Sequence, residues 1–130
     1  DPAPAASRKP RRVLLVEDSA LVAMQVEHML LAAGCEVVGP AARVAAALKL
    51  AREESVDAAI LDIDLHGTPS WDIADVLADR GIPFLLATGF SSDDALPERF
   101  RHVRRLFKPY SSGDFAEALD TLIGRAAYPA

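Results

Sequence analysis

The chain has one cysteine, one tryptophan and no apolar run near the roughly 18 residues that a membrane-crossing helix needs. The lone Cys35 excludes an intramolecular disulfide and points to a reducing compartment, the cytoplasm. The opening stretch DPAPAASRKPRR has basic residues but no apolar segment of signal-peptide length, and the lack of an initial methionine reads as a processed or excised chain. At 130 residues there is room for one core and too little for two ordinary domains. Positive charge is scarce outside the first dozen residues: the net charge of −5 combines +3 on residues 1–12 with −8 on the remainder. A body that acidic does not hold a nucleic-acid duplex by itself, so neither nucleic acid nor membrane is expected as a partner. Residues 1–11 read as a flexible tail, 12–126 as the domain and 127–130 as a short C-terminal tail.

What is present is an alternation of short apolar runs and amphipathic stretches. RRVLLVED is a buried strand ending in two acids, and from Ser19 the apolar residues Leu21, Val22, Val26, Met29, Leu30 and Ala33 recur at helical spacing before Gly34 stops the pattern. CEVVGPA gives a second strand, broken by Gly39-Pro40, and ARVAAALKLAREES a second helix. DAAILDID is a third strand, SWDIADVLADRG a helix with Ile73, Val76 and Leu77 inward, and IPFLLATG a fourth strand. SSDDALPERFRH contains Pro97, so a helix there is short, kinked or begins after it. VRRLFKP is a fifth strand and SSGDFAEALDTLIGRAA a last helix. Repeated strand–helix units with strands apolar on both faces predict an α/β fold with a parallel sheet covered on both sides. The C-terminal ends of the strands are then the place for a site.

On that plan Glu17 and Asp18 end strand one, Asp62 strand three, Thr88 strand four and Lys108 strand five. All five lie along one edge. Asp18 and Asp62, far apart in sequence, would meet there, and carboxylates that close repel unless a cation intervenes. A hard divalent ion, Mg²⁺, suits such oxygen ligands. Asp62 would serve as an oxygen nucleophile toward a phosphoryl group, with Lys108 and the Thr88 hydroxyl answering the charge on its equatorial oxygens, and the product would be an aspartyl phosphate.

These residues resemble the receiver domains of two-component response regulators over residues 12 to about 125. VLLVEDS resembles the acidic pair of that family, AAILDIDL its phosphoacceptor strand, LLATGF its hydroxyl-bearing strand and LFKPY its Lys-Pro. The resemblance implies a flavodoxin-like (βα)5 fold with five parallel strands in the order 2-1-3-4-5. It also implies phosphotransfer to Asp62 from a histidine kinase or histidine phosphotransfer protein, and Mg²⁺ held by Asp18, Asp62 and the backbone carbonyl of Asp64. Glu17 would act through the metal's water shell, and the Lys108-Pro109 bond would be cis, aiming the ammonium at the phosphate. GIPFLLATGF, VVGPA and KPY further resemble a subgroup, often single-domain, marked by Phe-Ala-Thr-Gly-aromatic, with Leu86 standing where that run has Phe. The family's aromatic switch, three residues before the lysine, is Arg105 here. Gly89 and Phe90 are therefore the expected relay from Thr88.

Taken singly, each of these residues has a plainer reading, since an Asp, Thr or Lys at a strand end is usually a solvated terminus; their joint order carries the argument. Trp71 and Phe84 read as packing residues, Cys35 as a small core residue, and His66 and His102 as surface groups without a partner at metal-ligand spacing. Asp-x-Asp also occurs in haloacid-dehalogenase-type phosphatases, but there it lies on the first strand and the acidic pair comes last, and this chain lacks room for a substrate cap. A flavin site would want a Ser/Thr/Gly-rich loop where EDSALVA stands. The expected role is a phosphorylation-controlled switch catalysing only its own phosphotransfer and dephosphorylation. Its output would pass through a downstream protein. The surface of the fourth helix, fifth strand and fifth helix, with Arg99, Arg101, Arg104 and Arg105, is one candidate for that contact or for a homodimer. The first and fifth helices are another.

Overall fold

The computed structural model describes residues 10–89 and 96–127. Residues 1–9, 90–95, Phe90 among them, and 128–130 lie outside these. Five strands form one parallel sheet: β1 (Arg12–Val16), β2 (Glu36–Ala41), β3 (Ala58–Asp62), β6 (Phe84–Thr88) and β7 (Arg105–Phe107). Its order is β2-β1-β3-β6-β7, which is 2-1-3-4-5 when the strands of this sheet alone are counted. A two-stranded antiparallel ribbon, β4 (Asp64–Leu65) with β5 (Thr68–Pro69), is inserted directly after β3. The sequence reading did not anticipate it.

The pleat explains why both faces are covered. Leu14 and Val16 of β1 join a core with Ile73 and Leu77 of α3 (Trp71–Asp79) and with Ala47 and Ala51 of α2 (Val44–Glu53). Val13 and Leu15 join a second core with Val26 and Leu30 of α1 (Ala20–Ala32) and Phe115 of α4 (Ser112–Ala127). Alternate side chains of one strand thus serve two cores, and each fully buried Leu or Phe contributes roughly 1.5–3 kcal/mol of transfer free energy.

Several expectations are sharpened or corrected in detail. β2 runs to Ala41 as expected, and the break at Gly39-Pro40 takes the form of a register shift in its pairing to β1 between Leu14 and Val16. Gly39 sits at φ +100°, and a Cβ there would stand 2.8 Å from the Leu15 carbonyl oxygen, so the residue must be glycine. In α1 the buried residues are Ala23, Val26 and Leu30, while Leu21 is 65% exposed and Met24 and Leu31 are also exposed. Exposed and buried apolar residues interleave along that helix, whose polar side chains are only Gln25, Glu27 and His28, so spacing alone could not pick its inward face. Between β6 and β7 the described residues hold only a 3-10 turn, Glu98–Phe100, beginning just after Pro97. Phe100 is buried there, stacked on Trp71 with ring centroids 5.8 Å apart. Four α-helices are found among the described residues. Two of the four arginines of the basic patch are compensated: Arg99 pairs with Asp75 at 2.8 Å and Arg104 with Glu117 at 2.6 Å, while the Arg105 guanidinium lies 5.7 Å from the Phe107 ring centroid.

Candidate phosphoacceptor site

Parallel β1, β3, β6 and β7 end together, and their pairing places the acidic residues. Glu17 continues β1, its N–H donating to the Ala41 carbonyl at 2.9 Å, and its side chain turns inward to be nearly completely buried. One Glu17 carboxylate oxygen accepts from the Ser19 N–H at 3.0 Å, at the start of α1, where the Ser19 hydroxyl caps the Val22 N–H. Asp62 ends β3, 4% exposed. Glu17, Asp18 and Asp62 each place a carboxylate oxygen within 4.8 Å of the others.

Lys108 links two of these groups. Its backbone N–H donates to the Thr88 carbonyl at 2.8 Å, extending the β6–β7 pairing, and its ammonium reaches Glu17 at 2.7 Å and Asp62 at 3.0 Å. The Lys108–Pro109 peptide is cis, in agreement with the expectation. Thr88 ends β6, also buried, on the strand beside β3. The structure therefore brings Glu17, Asp18, Asp62, Thr88 and Lys108 to one sheet edge. Gly89 follows Thr88 there and Pro109 follows Lys108, whereas Phe90 lies outside the described residues.

One ammonium does not balance three carboxylates. Burial, and then Glu17, push the Asp62 carboxyl up to about 7 against the opposing pull of Lys108. Lys108 is held above the ordinary lysine value because Glu17 and Asp62 outweigh its own burial. Asp18 goes the other way: burial opposes its ionisation, but the His66 N–H, followed by its hydrogen bonds with Asp62 and Glu17, brings it below the usual aspartate value. A centre of hard oxygen donors with excess negative charge suits a divalent cation such as Mg²⁺.

The β4–β5 ribbon holds the rim, and this was not legible beforehand. His66 adopts φ +51° at its tip and donates its N–H to Asp18 at 3.0 Å, tying segments 48 residues apart. His66 thus contributes through its backbone, where the sequence suggested a surface side chain. The Asp64 carboxylate accepts from the Gly67 N–H at 3.3 Å, so that side chain shapes the turn. Ser70, fully buried, donates its hydroxyl to the Asp62 carbonyl at 2.7 Å, and its N–H to the Ile63 carbonyl at 2.9 Å. Sequence reasoning missed Ser70, whose only signal was its position before a helix.

A parallel five-stranded α/β sheet with an acidic centre facing a lysine at its strand ends defines a class, and comparison bears it out. The chain belongs to the response regulator receiver domain family, whose model matches residues 13–120. Receiver domains are the phosphorylation-dependent switches of two-component systems. Among relatives, the chain is similar to the transcriptional regulatory protein PdtaR of Mycobacterium tuberculosis, 36% identical over 120 residues. That match covers 89% of this chain and 58% of PdtaR, so the chain spans just over half the length of that relative. It is also similar to SdrG of Sphingomonas melonis Fr1, whose solution structure shares 41% identity with a TM-score of 0.77, covering 88% of this chain and 97% of SdrG. The receiver domain of the sensor histidine kinase PA1611 of Pseudomonas aeruginosa PAO1 shares the fold at 22% identity, TM-score 0.77, covering 89% and 99% of the two chains. That domain carries a magnesium ion coordinated in its active-site cleft.

Proposed function

We propose that Asp62 is the phosphoacceptor of this receiver, taking a phosphoryl group from a histidine kinase or histidine phosphotransfer protein in the cytoplasm. The observation that carries this reading is the Lys108 ammonium held between Asp62 and Glu17 in a buried acidic centre. In the forward step an Asp62 carboxylate oxygen attacks phosphorus, the phosphorus–nitrogen bond of the phosphohistidine breaks, and the electron pair leaves with the imidazole. Lys108 favours the ionised form of Asp62 against burial and Glu17, and answers the charge on the phosphoryl oxygens. The Thr88 hydroxyl donates to one of those oxygens. Later, water attacks phosphorus, the phosphorus–oxygen bond breaks, and the Asp62 carboxylate returns with inorganic phosphate.

Glu17, Asp18, Asp62 and the Asp64 backbone carbonyl fit Mg²⁺ by donor type, Glu17 acting through its water shell, and the surplus of carboxylate over ammonium gives the ion a reason to bind. When bound, Mg²⁺ neutralises the carboxylates and the phosphoryl oxygens together. Gly89, Phe90 and the segment at Pro97 form the proposed relay from Thr88, with Arg105 standing where the family's aromatic switch would be. Output passes by contact with a downstream protein or a second copy of the chain, at the face of the 3-10 turn, β7 and α4 or at α1 with α4. The pairing of Arg99 and Arg104 with acids of this chain leaves the first surface less basic than the sequence suggests.

The test is incubation with acetyl phosphate and MgCl2, followed by intact mass. One added phosphoryl group, absent from Asp62→Asn and abolished by EDTA, is expected. An unchanged parent mass, or an Asp62→Asn variant that still gains the group, refutes the assignment.

A further inference from the structure

Tyr110 follows the Lys108–Pro109 pair and links the acidic centre to α4. Its ring stacks on Phe115, with centroids 5.8 Å apart and planes 18° apart. It also lines a cavity of about 350 Å³ with Val22, Val26 and Met29 of α1, Gly89 and Lys108. Among the described residues, its hydroxyl is the one buried side-chain polar atom without a hydrogen-bond partner. A buried donor left unpaired is costly, and such a group calls for a physical reason. Burial, followed by Glu17 and Asp62, holds the phenol well above the ordinary tyrosine range, so it stays protonated and able to donate.

We propose that Tyr110 is a positioning residue for the phosphorylated state: its hydroxyl is unpaired at rest and gains an acceptor when a phosphoryl group enters the Asp62 centre. This rests on the assignment of Asp62 as acceptor. A phosphoryl group adds negative charge and three strong acceptor oxygens. Lys108 is drawn toward that charge, and Tyr110, two residues on, is carried with it. The cavity gives the segment room against α1, and the stack on Phe115 passes the displacement to α4. Phosphorylation is thereby coupled to the α1–α4 side of the sheet through a group that pays its hydrogen-bond deficit only in the resting state.

Tyr110→Phe removes the hydroxyl and keeps the ring and its stack. The experiment titrates parent and variant with beryllofluoride, a phosphoryl analogue, in MgCl2, and records the melting temperature of each without the analogue. The expected result is a variant that melts at or above the parent temperature at rest yet binds beryllofluoride about tenfold more weakly, the loss of one hydrogen bond to a charged group. Affinities within about twofold of each other overturn the proposal. So does a resting variant that melts lower, because the hydroxyl would then be paired already. If the parent itself does not respond to beryllofluoride, the Asp62 assignment fails, and this inference fails with it.

Discussion

Replacing Asp62 by Asn should make the metal-free protein more stable. Asp62 is 4% exposed, and its carboxyl is raised from 3.8 to about 7, first by burial and then by Glu17. A carboxyl whose folded pKa lies above its unfolded one favours the native state at low pH and loses that contribution as pH rises from about 4 through 7. At about 1.36 kcal/mol per pH unit, the interval corresponds to a ceiling of about 4 kcal/mol at pH 8, and relaxation around the charge brings the expected gain to about 2 kcal/mol. Asn keeps the shape of the side chain and its oxygen acceptor and removes the charge. Urea unfolding of both proteins in EDTA should show the variant ahead at pH 8, the gap shrinking as pH falls and closing near 4. Saturating MgCl2 should stabilise the parent more than the variant. If Asp62→Asn is no more stable than the parent in EDTA at pH 8, Asp62 does not carry an uncompensated charge, and the electrostatic case for a cation at this centre falls.

Ser70→Ala removes the 2.7 Å hydrogen bond to the Asp62 carbonyl in a fully buried setting. A loss of roughly 1–3 kcal/mol in urea unfolding is expected, with slower phosphoryl uptake by intact mass, whereas parental values in both would show that the bond supports neither fold nor site. Gly39→Ala would bring a Cβ to 2.8 Å from the Leu15 carbonyl oxygen and 2.9 Å from the Ala41 nitrogen, both backbone atoms, at φ +100°. The β1–β2 pairing should yield at a cost of about 3 kcal/mol, seen as a lowered melting temperature, and a variant melting with the parent would contradict the close approach.

What the sequence made legible followed the strength of its periodic signals. β1, β3 and β6 announce themselves because each is a run of apolar residues with a chemically active residue at or just beyond its C-terminal end, so the fold and the positions of Glu17, Asp18, Asp62 and Thr88 were read together. Lys108 was placed by the short run before it. The β4–β5 ribbon was not readable, since two-residue strands have no period and the His66 N–H bond to Asp18 belongs to the backbone. Ser70 and Tyr110 were missed for a related reason: the partner of one is a carbonyl, and the significance of the other is a partner it lacks. Leu21 was grouped with the inward residues of α1 because exposed apolar residues there interleave with the buried ones. Arg99 and Arg104 appeared as a basic patch because Asp75 and Glu117, which neutralise them, come from α3 and α4.

The two cores on opposite sides of the sheet have an evolutionary consequence. Residues doing chemistry sit at strand ends, held by pairing that alternates between both cores, while the outward surfaces of α1 to α4 take no part in that chemistry. Duplicated copies of such a gene could drift apart on those outer surfaces, acquiring separate correspondents, without retuning the reaction centre. Insulation between parallel signalling lines is then a matter of helix exteriors, and a single reaction chemistry can serve many of them.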